Sequence, residues 1–80
     1  MGYIVYILKS EITNRYYIGQ TFNIEKRITL HNSPRARWTK RFQPWVLKYF
    51  EEYQTRSEVI KRERYLKSLK NIEFFLNSVG

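Results

Sequence analysis

Cysteine and aspartate are both absent from this chain of 80 residues. Without cysteine the protein can form neither a disulfide nor a thiolate metal site, so packing must supply its stability. Because aspartate is missing, all 7 acidic residues are glutamates. A two-metal hydrolytic site groups several carboxylates around its ions, so any metal chemistry in this chain has to work with few of them.

Long apolar segments are also missing. No run approaches the roughly 18 residues that a membrane-spanning helix needs. The N-terminus does not show the basic-then-apolar layout of a signal peptide. From these absences we expect a soluble, cytoplasmic protein made of one domain over residues 1–80.

Aromatic and basic residues are abundant. The 5 Phe, 7 Tyr and 2 Trp supply the large buried areas that a small core needs. The 15 Lys and Arg give a formal net charge of +8, which indicates a polyanionic partner, with nucleic acid first and an anionic membrane surface second. The same charge is typical of a ribosome-associated or generally basic surface, and charge alone does not separate these readings.

The hydrophobic pattern predicts an α+β domain with a small three-stranded antiparallel sheet flanked by helices, in the order β-β-α-β-α-α. Asn23 is a good N-cap for the first helix, and Thr55 with Glu58 forms a capping box for the second. Asn71 is the candidate cap of the last helix. The strands are predicted at residues 3–10, 16–21 and 46–53, and the helices at residues 24–32, 56 to about 70, and 72–78.

The second predicted helix carries a carboxylate on its apolar side. Val59, Glu63 and Leu66 follow the i, i+4, i+7 spacing of one helical stripe. A buried carboxylate needs a partner, which can be a base, a network of donors or a metal ion. The alternative is that Glu63 lies at the edge of the stripe and pairs with Arg62 or Lys67.

The first predicted helix presents Arg27 and His31 on one face, because they are four residues apart. Arg27 lies at the border of the apolar side, where a guanidinium can bind a phosphate with two hydrogen bonds. Taken by itself, Arg27 is more simply explained as a solvated arginine, and His31 as a surface or core-edge histidine.

Two tyrosines share a face of the predicted hairpin. With the hairpin centred near residues 11–12, Tyr6 and Tyr17 are expected nearly opposite each other. Gly19 then allows a helix or ligand to approach the second strand closely. A plain cross-strand aromatic pair is the simpler alternative.

In their order and spacing, these residues resemble a GIY-YIG nuclease domain, and most of all the small stand-alone bacterial proteins related to the N-terminal domain of the bacterial excinuclease. The first motif stands as Ile4-Val5-Tyr6 and the second as Tyr17-Ile18-Gly19, with ten residues between them. Arg27, His31 and Glu63 fall where the family keeps its helical arginine, the Tyr or His one turn later, and its metal-binding glutamate. The resemblance covers about Tyr3 to Lys70.

The resemblance implies a divalent-metal-dependent endonuclease that hydrolyses DNA in one step, with a role in DNA repair or recombination. Glu63 is then expected to bind a single Mg²⁺ or Mn²⁺, and Arg27 to neutralise charge on the phosphate. Tyr6 is expected to orient or deprotonate the attacking water, with its pKa lowered by nearby cations. His31 is expected to accept the proton, and Tyr17 to bond the phosphate or order the water.

The sequence departs from the family pattern in three places. Ile4 replaces the leading glycine of the first motif, and Gln20 replaces a lysine that some family nucleases carry directly after the second. For the asparagine that the family often places in its last helix, Asn77 is the nearest candidate and Asn71 the second.

A basic loop at residues 34–45 is the expected DNA-backbone contact. Its candidate nucleic-acid-binding residues are Arg35, Arg37, Trp38, Lys40 and Arg41. The tryptophan suits stacking on an unpaired base, and packing within the loop is its alternative role. Three readings of the whole chain remain: the nuclease, helped by a targeting protein partner; a nucleic-acid-binding module of the same fold with little turnover; or a fragment or subunit recruited by a repair or mobile-element protein.

Overall fold

The computed structural model describes residues 2–79 and has the predicted α+β architecture and element order. None of the helices in this range is long and apolar enough to cross a membrane. The elements are β1 (Tyr3–Ser10), β2 (Tyr16–Thr21), α1 (Ile24–His31), a short 3-10 helix (Thr39–Phe42), β3 (Trp45–Tyr53), α2 (Arg56–Ser68) and α3 (Ile72–Val79).

The sheet is antiparallel with strand order β2-β1-β3, so β1 is central and is covered on both faces. Alternation along β1 sends Val5 and Ile7 to one face, where they pack with α2 and α3. Tyr6 and Leu8 lie on the other face, where α1 packs. β2 is an edge strand, because among the described residues it pairs only with β1.

The predicted N-cap residues are confirmed, although Glu58 accepts its hydrogen bond from the Thr55 hydroxyl instead of the Thr55 backbone N–H of a full capping box. The side chains of Asn23, Thr55 and Asn71 accept hydrogen bonds from backbone N–H groups in the first turns of α1, α2 and α3. α2 ends at Ser68, two residues before the predicted end, because Leu69 adopts an extended backbone and packs against the core. These local signals therefore set where the helices begin more accurately than where α2 ends.

The expected register of the β1–β2 hairpin is wrong by one step. Tyr6 pairs with Gly19, and Tyr17 pairs with Leu8, so the two tyrosines are diagonal neighbours instead of opposite ones. The hairpin is centred between residues 12 and 13, one residue later than predicted. Moving the centre by one residue changes the partner of each β1 residue by two positions along β2. Because side chains alternate every residue, a shift of two leaves both tyrosines on the same face.

The basic loop is more ordered than the sequence suggested, since it contains the 3-10 helix and is tied to the end of α1. Asn32 exchanges two hydrogen bonds with the backbone of Trp45, which begins β3 one residue before the predicted start. Gln43 donates to the carbonyls of His31 and Ser33. These bonds end α1 at His31, one residue earlier than predicted, and hold the loop against the helix.

Candidate active site

The phenol of Tyr6 crosses Gly19 to reach His31. Tyr6 is 1% exposed, and its hydroxyl lies 3.1 Å from Nε2 of His31. A Cβ at residue 19 would lie 2.6 Å from the Tyr6 hydroxyl oxygen and 3.0 Å from Cε1 of Tyr17. Glycine is therefore required at this position so that the tyrosine ring can lie over the edge strand.

His31 is the middle member of a buried chain of three polar groups. Its Nδ1 lies 3.1 Å from the hydroxyl of Thr39, while Nε2 meets Tyr6. Burial, with a smaller contribution from the nearby Arg27 charge, lowers the pKa of His31 below its ordinary value of 6.5. The imidazole is therefore neutral at pH 7, so one ring nitrogen donates and the other accepts.

The charge of Arg27 by itself does not bring the pKa of Tyr6 below its ordinary value of 10.0. Burial raises its pKa, the charge interactions with Tyr17 and Glu63 raise it further, and Arg27 lowers it by less than burial raises it. The phenol is therefore protonated at neutral pH. Its hydroxyl can donate a hydrogen bond to Nε2 of His31 or accept one from it, but a free phenolate is strongly disfavoured.

A groove with a volume of about 400 Å³ runs along the solvent side of the hydrogen-bonded groups Tyr6, His31 and Thr39. We call it the catalytic groove; its polar and aromatic lining consists of Tyr17, Arg27, His31, Arg37, Trp38 and Thr39. No carboxylate of residues 2–79 lines it. The ion pairs within the same range are Arg62–Glu51 and Lys67–Glu63, so the guanidinium of Arg27 is not neutralised by an acid there. The groove therefore offers a positively charged surface to an anion.

Tyr17 lies between the buried pair of Tyr6 and His31 and the solvent. Its ring centroid is 4.5 Å from that of His31 and 6.3 Å from that of Tyr6. The ring is half-buried and lines the catalytic groove, which places a second phenol beside the imidazole.

Glu63 reaches the edge strand from the opposite face of the sheet. Its Oε1 accepts a hydrogen bond of 2.7 Å from Nε2 of Gln20, and its Oε2 lies 2.8 Å from Nζ of Lys67. Its negative charge is the smallest of the causes that shift the pKa of Tyr6, and it raises that pKa. The alternative pairing with Lys67 thus occurs, whereas Arg62 pairs with Glu51 instead.

The donor chemistry at Glu63 suits one divalent ion. Mg²⁺ is commonly held through one or two carboxylates, with water and substrate phosphate as further ligands. No cluster of three or more His, Cys, Asp or Glu that could hold a metal occurs among residues 2–79, so Glu63 would serve alone. Its side chain is 16% exposed, and the ammonium of Lys67 already occupies one oxygen, which marks a position where a cation is stabilised.

The basic loop contributes unevenly to the site. Arg37 and Trp38 line the catalytic groove, whereas Arg35, Lys40 and Arg41 are exposed outside it. Trp38 is 49% exposed and packs its ring against Phe42, so it combines packing with an accessible face. On α3, Asn77 is exposed and lines none of the grooves at this site, while Asn71 caps the helix.

Sequence reasoning missed the partners that hold the site together. Thr39 lies eight residues from His31, and its role depends on the fold of the loop. Gln20 was noted only as a missing lysine, yet its amide holds Glu63. Lys67 is the exception, because its i+4 spacing from Glu63 had already indicated it as an alternative partner.

Comparisons with known proteins match the chain over most of its length. The family model of the GIY-YIG catalytic domain matches residues 2–74. A UPF0213 protein of Staphylococcus haemolyticus is 42% identical over 65 residues, which cover 80% of this chain and 78% of that protein. A UPF0213 protein of Bacillus cereus is 46% identical over 55 residues, which cover 68% of this chain but only 57% of that protein.

A solved structure is also similar. The solution NMR structure of a UPF0213 protein from Bacillus halodurans matches with a TM-score of 0.55 and 28% sequence identity. The match covers 89% of this chain and 76% of that one.

Proposed function

Since the chain belongs to the GIY-YIG family, whose domains are of nuclease type, we propose that it is a divalent-metal-dependent endonuclease that hydrolyses DNA phosphodiester bonds. Its proposed substrates are branched, nicked or single-stranded forms that arise in DNA repair or recombination in the cytoplasm. A targeting protein partner would compensate for the small size of the domain.

One observation carries the proposal: the Tyr6 hydroxyl is hydrogen-bonded to a neutral imidazole that lines the same groove as Arg27. The hydroxyl and Nε2 of His31 are 3.1 Å apart. The charges of Arg27 and Glu63 both act on that phenol. A proton acceptor and an unneutralised cation thus lie on the α1 face of the sheet, and a metal-binding type of side chain lies on the α2 face against the same edge strand.

Arg27 and Tyr17 would bind the phosphate. The guanidinium lines the catalytic groove without an acidic partner among residues 2–79, so it can neutralise the charge that builds on the phosphate oxygens during attack. The half-buried phenol of Tyr17 lines the same groove and can donate a hydrogen bond to a phosphate oxygen.

The proton of the attacking water would leave through Tyr6 to His31. As the phenol oxygen accepts the water proton, its own proton passes to Nε2 of His31, so no phenolate accumulates. This route agrees with the raised pKa of Tyr6, which burial causes first, and with the lowered pKa of His31, caused chiefly by burial. Thr39 would hold the imidazole orientation from the other ring nitrogen.

Glu63 would hold a single Mg²⁺ or Mn²⁺ once Lys67 moves away from Oε2. Such an ion supplies Lewis-acid stabilisation of the leaving 3′ oxygen. Gln20 would keep the carboxylate oriented through its bond to Oε1.

A second candidate function is nucleic-acid binding with little turnover. Two observations favour it: Tyr6 is 1% exposed, and both oxygens of Glu63 have protein partners. In that case the catalytic groove binds phosphate without a water reaching the phenol.

The test is cleavage of plasmid and branched DNA with Mg²⁺ or Mn²⁺, and with a chelator. We expect metal-dependent cutting that falls by about 10²–10³-fold in Arg27→Ala, the range lost when one transition-state donor is removed. Glu63→Gln should abolish the response to metal.

Matched controls are Arg64→Ala and Glu73→Gln, exposed residues on α2 and α3. Both should cut like the wild type. Equal cutting by all variants would identify a contaminating nuclease, and binding of DNA without cutting in either metal would favour the binding module.

A further inference from the structure

A second groove opens beside the catalytic groove and shares Arg27 and Leu30 with it. Its volume is about 630 Å³. We call it the flanking groove; the lining residues that carry the argument are Tyr3, Gln20, Phe22, Lys26, Arg27 and Arg56. If a DNA strand places one phosphate on Arg27, the nucleotide next to that phosphate lies beside this groove.

Phe22 forms an exposed aromatic platform in the flanking groove. Its side chain is 64% exposed, although burying a phenylalanine is normally favourable. The ring of Tyr3 lies against it with centroids 4.5 Å apart. The residues before and after Phe22 are bonded to each other. The hydroxyl of Thr21 accepts a hydrogen bond from the backbone N–H of Asn23 and lies 3.3 Å from the carbonyl oxygen of Asn23. The platform is thus held in place before any ligand binds.

The charges around this platform favour a phosphate. Lys26, Arg27 and Arg56 line the groove, and no carboxylate of the described residues does. None of these three cations takes part in the ion pairs found among residues 2–79. An aromatic surface beside cations without acids is the combination that binds an unpaired base together with its phosphate.

We propose that the flanking groove binds one unpaired nucleotide next to the scissile phosphate, with its base stacked on Phe22 and its phosphate between Lys26 and Arg56. This inference rests on the proposed function, because it takes Arg27 as the site of the scissile phosphate. The groove then selects DNA with an unpaired nucleotide at the cleavage point, such as a flap, a fork or an overhang, over an uninterrupted duplex.

Binding without cleavage tests the proposal. Anisotropy in a chelator would compare a labelled single strand of about ten nucleotides, an overhang duplex and a blunt duplex. Phe22→Ala should weaken binding of the first two by about tenfold, as loss of one base–aromatic stack does, and leave the blunt duplex nearly unchanged. A photoreactive uracil in the overhang should cross-link to Phe22 or Tyr3.

The control is Phe74→Ala, which removes an equally exposed phenylalanine, 72% exposed, from α3 outside both grooves. It should bind like the wild type, and Phe22→Trp should retain binding. The proposal is overturned if Phe22→Ala and Phe74→Ala lose the same affinity, if the blunt duplex is affected equally, or if Phe22→Ala changes self-association and not DNA affinity.

Failure of this inference is distinct from failure of the proposed function. A protein that cuts DNA but binds overhangs independently of Phe22 keeps the nuclease and loses the nucleotide site. A protein that binds overhangs through Phe22 and cuts nothing keeps the site and loses the nuclease.

Discussion

At the scale of single residues, Gly19 decides whether Tyr6 can reach His31. Gly19→Ala would place a Cβ 2.6 Å from the Tyr6 hydroxyl oxygen and 2.8 Å from Cζ. The ring of Tyr6 is 1% exposed, and overpacking a buried side chain costs about 1–3 kcal/mol. We expect the free energy of unfolding in urea to fall by about 2 kcal/mol and any nuclease activity to be lost.

The same substitution in a Tyr6→Phe background separates the cause. Without the hydroxyl the closest contact is absent, so Gly19→Ala should cost less there, and a double-mutant cycle measures the difference. Equal costs in both backgrounds would mean that the backbone of β2, and not the tyrosine, resists the methyl group.

At the scale of elements, α2 serves the core and the site from one face and is fastened to the sheet by Arg62. Arg62 donates from Nε to Oε1 of Glu51 at 2.8 Å and from Nη2 to Oε2 at 3.0 Å. The hydroxyls of Tyr49 and Tyr53 donate to the same carboxylate. This cluster joins α2 to β3 and thereby positions Glu63, one residue further along the helix.

Arg62→Met removes the charged partner and should lower the free energy of unfolding by about 2 kcal/mol, the typical worth of a hydrogen bond to a charged group. Burial raises the pKa of Glu51, but the hydrogen bonds from Arg62, Tyr49 and Tyr53 outweigh it and hold the pKa below 4.5. The stabilisation is therefore present above pH 4.5 and is lost as the pH falls through the lowered pKa.

Urea denaturation of wild type and Arg62→Met at neutral and at strongly acidic pH measures this. The difference between the two proteins should shrink in acid. Arg64→Met, at an exposed position of the same helix, should stay within about 0.5 kcal/mol of the wild type at both pH values. A pH-independent loss in Arg62→Met would point to the packing of its side chain on Tyr65 and Phe75 instead.

At the scale of the whole molecule, the net charge of +8 acts together with the shape of the grooves. DNA binding should weaken linearly in a plot of log affinity against log salt, with a slope near −0.9 for each phosphate contacted. Arg37→Ala, in the catalytic groove, should reduce the magnitude of that slope by about 1.

Lys48→Ala makes the same change in net charge on β3, away from the catalytic and flanking grooves. Its slope should match the wild type. If both variants reduce the slope equally, DNA binding depends on the overall charge of the protein and not on phosphate contacts within the grooves.

The sequence by itself determined which residues share a face. Strand alternation placed Tyr6 and Tyr17 together, and helical spacing placed Arg27 beside His31 and Glu63 between Val59 and Leu66. The helical relations hold because they depend on the geometry of one element at a time. Capping residues set the helix starts for the same reason. The two tyrosines still share a face because the hairpin register differs from the predicted one by two residues, which preserves strand alternation.

Only the tertiary structure decided what those faces meet. It brought Glu63 of α2 to Gln20 on the same face of the sheet, gave His31 its partner Thr39, and buried Tyr6 deeply enough that its pKa rises despite Arg27. Burial and contacts between elements depend on how the helices pack on the two faces of the sheet, and no local pattern in the chain carries that information.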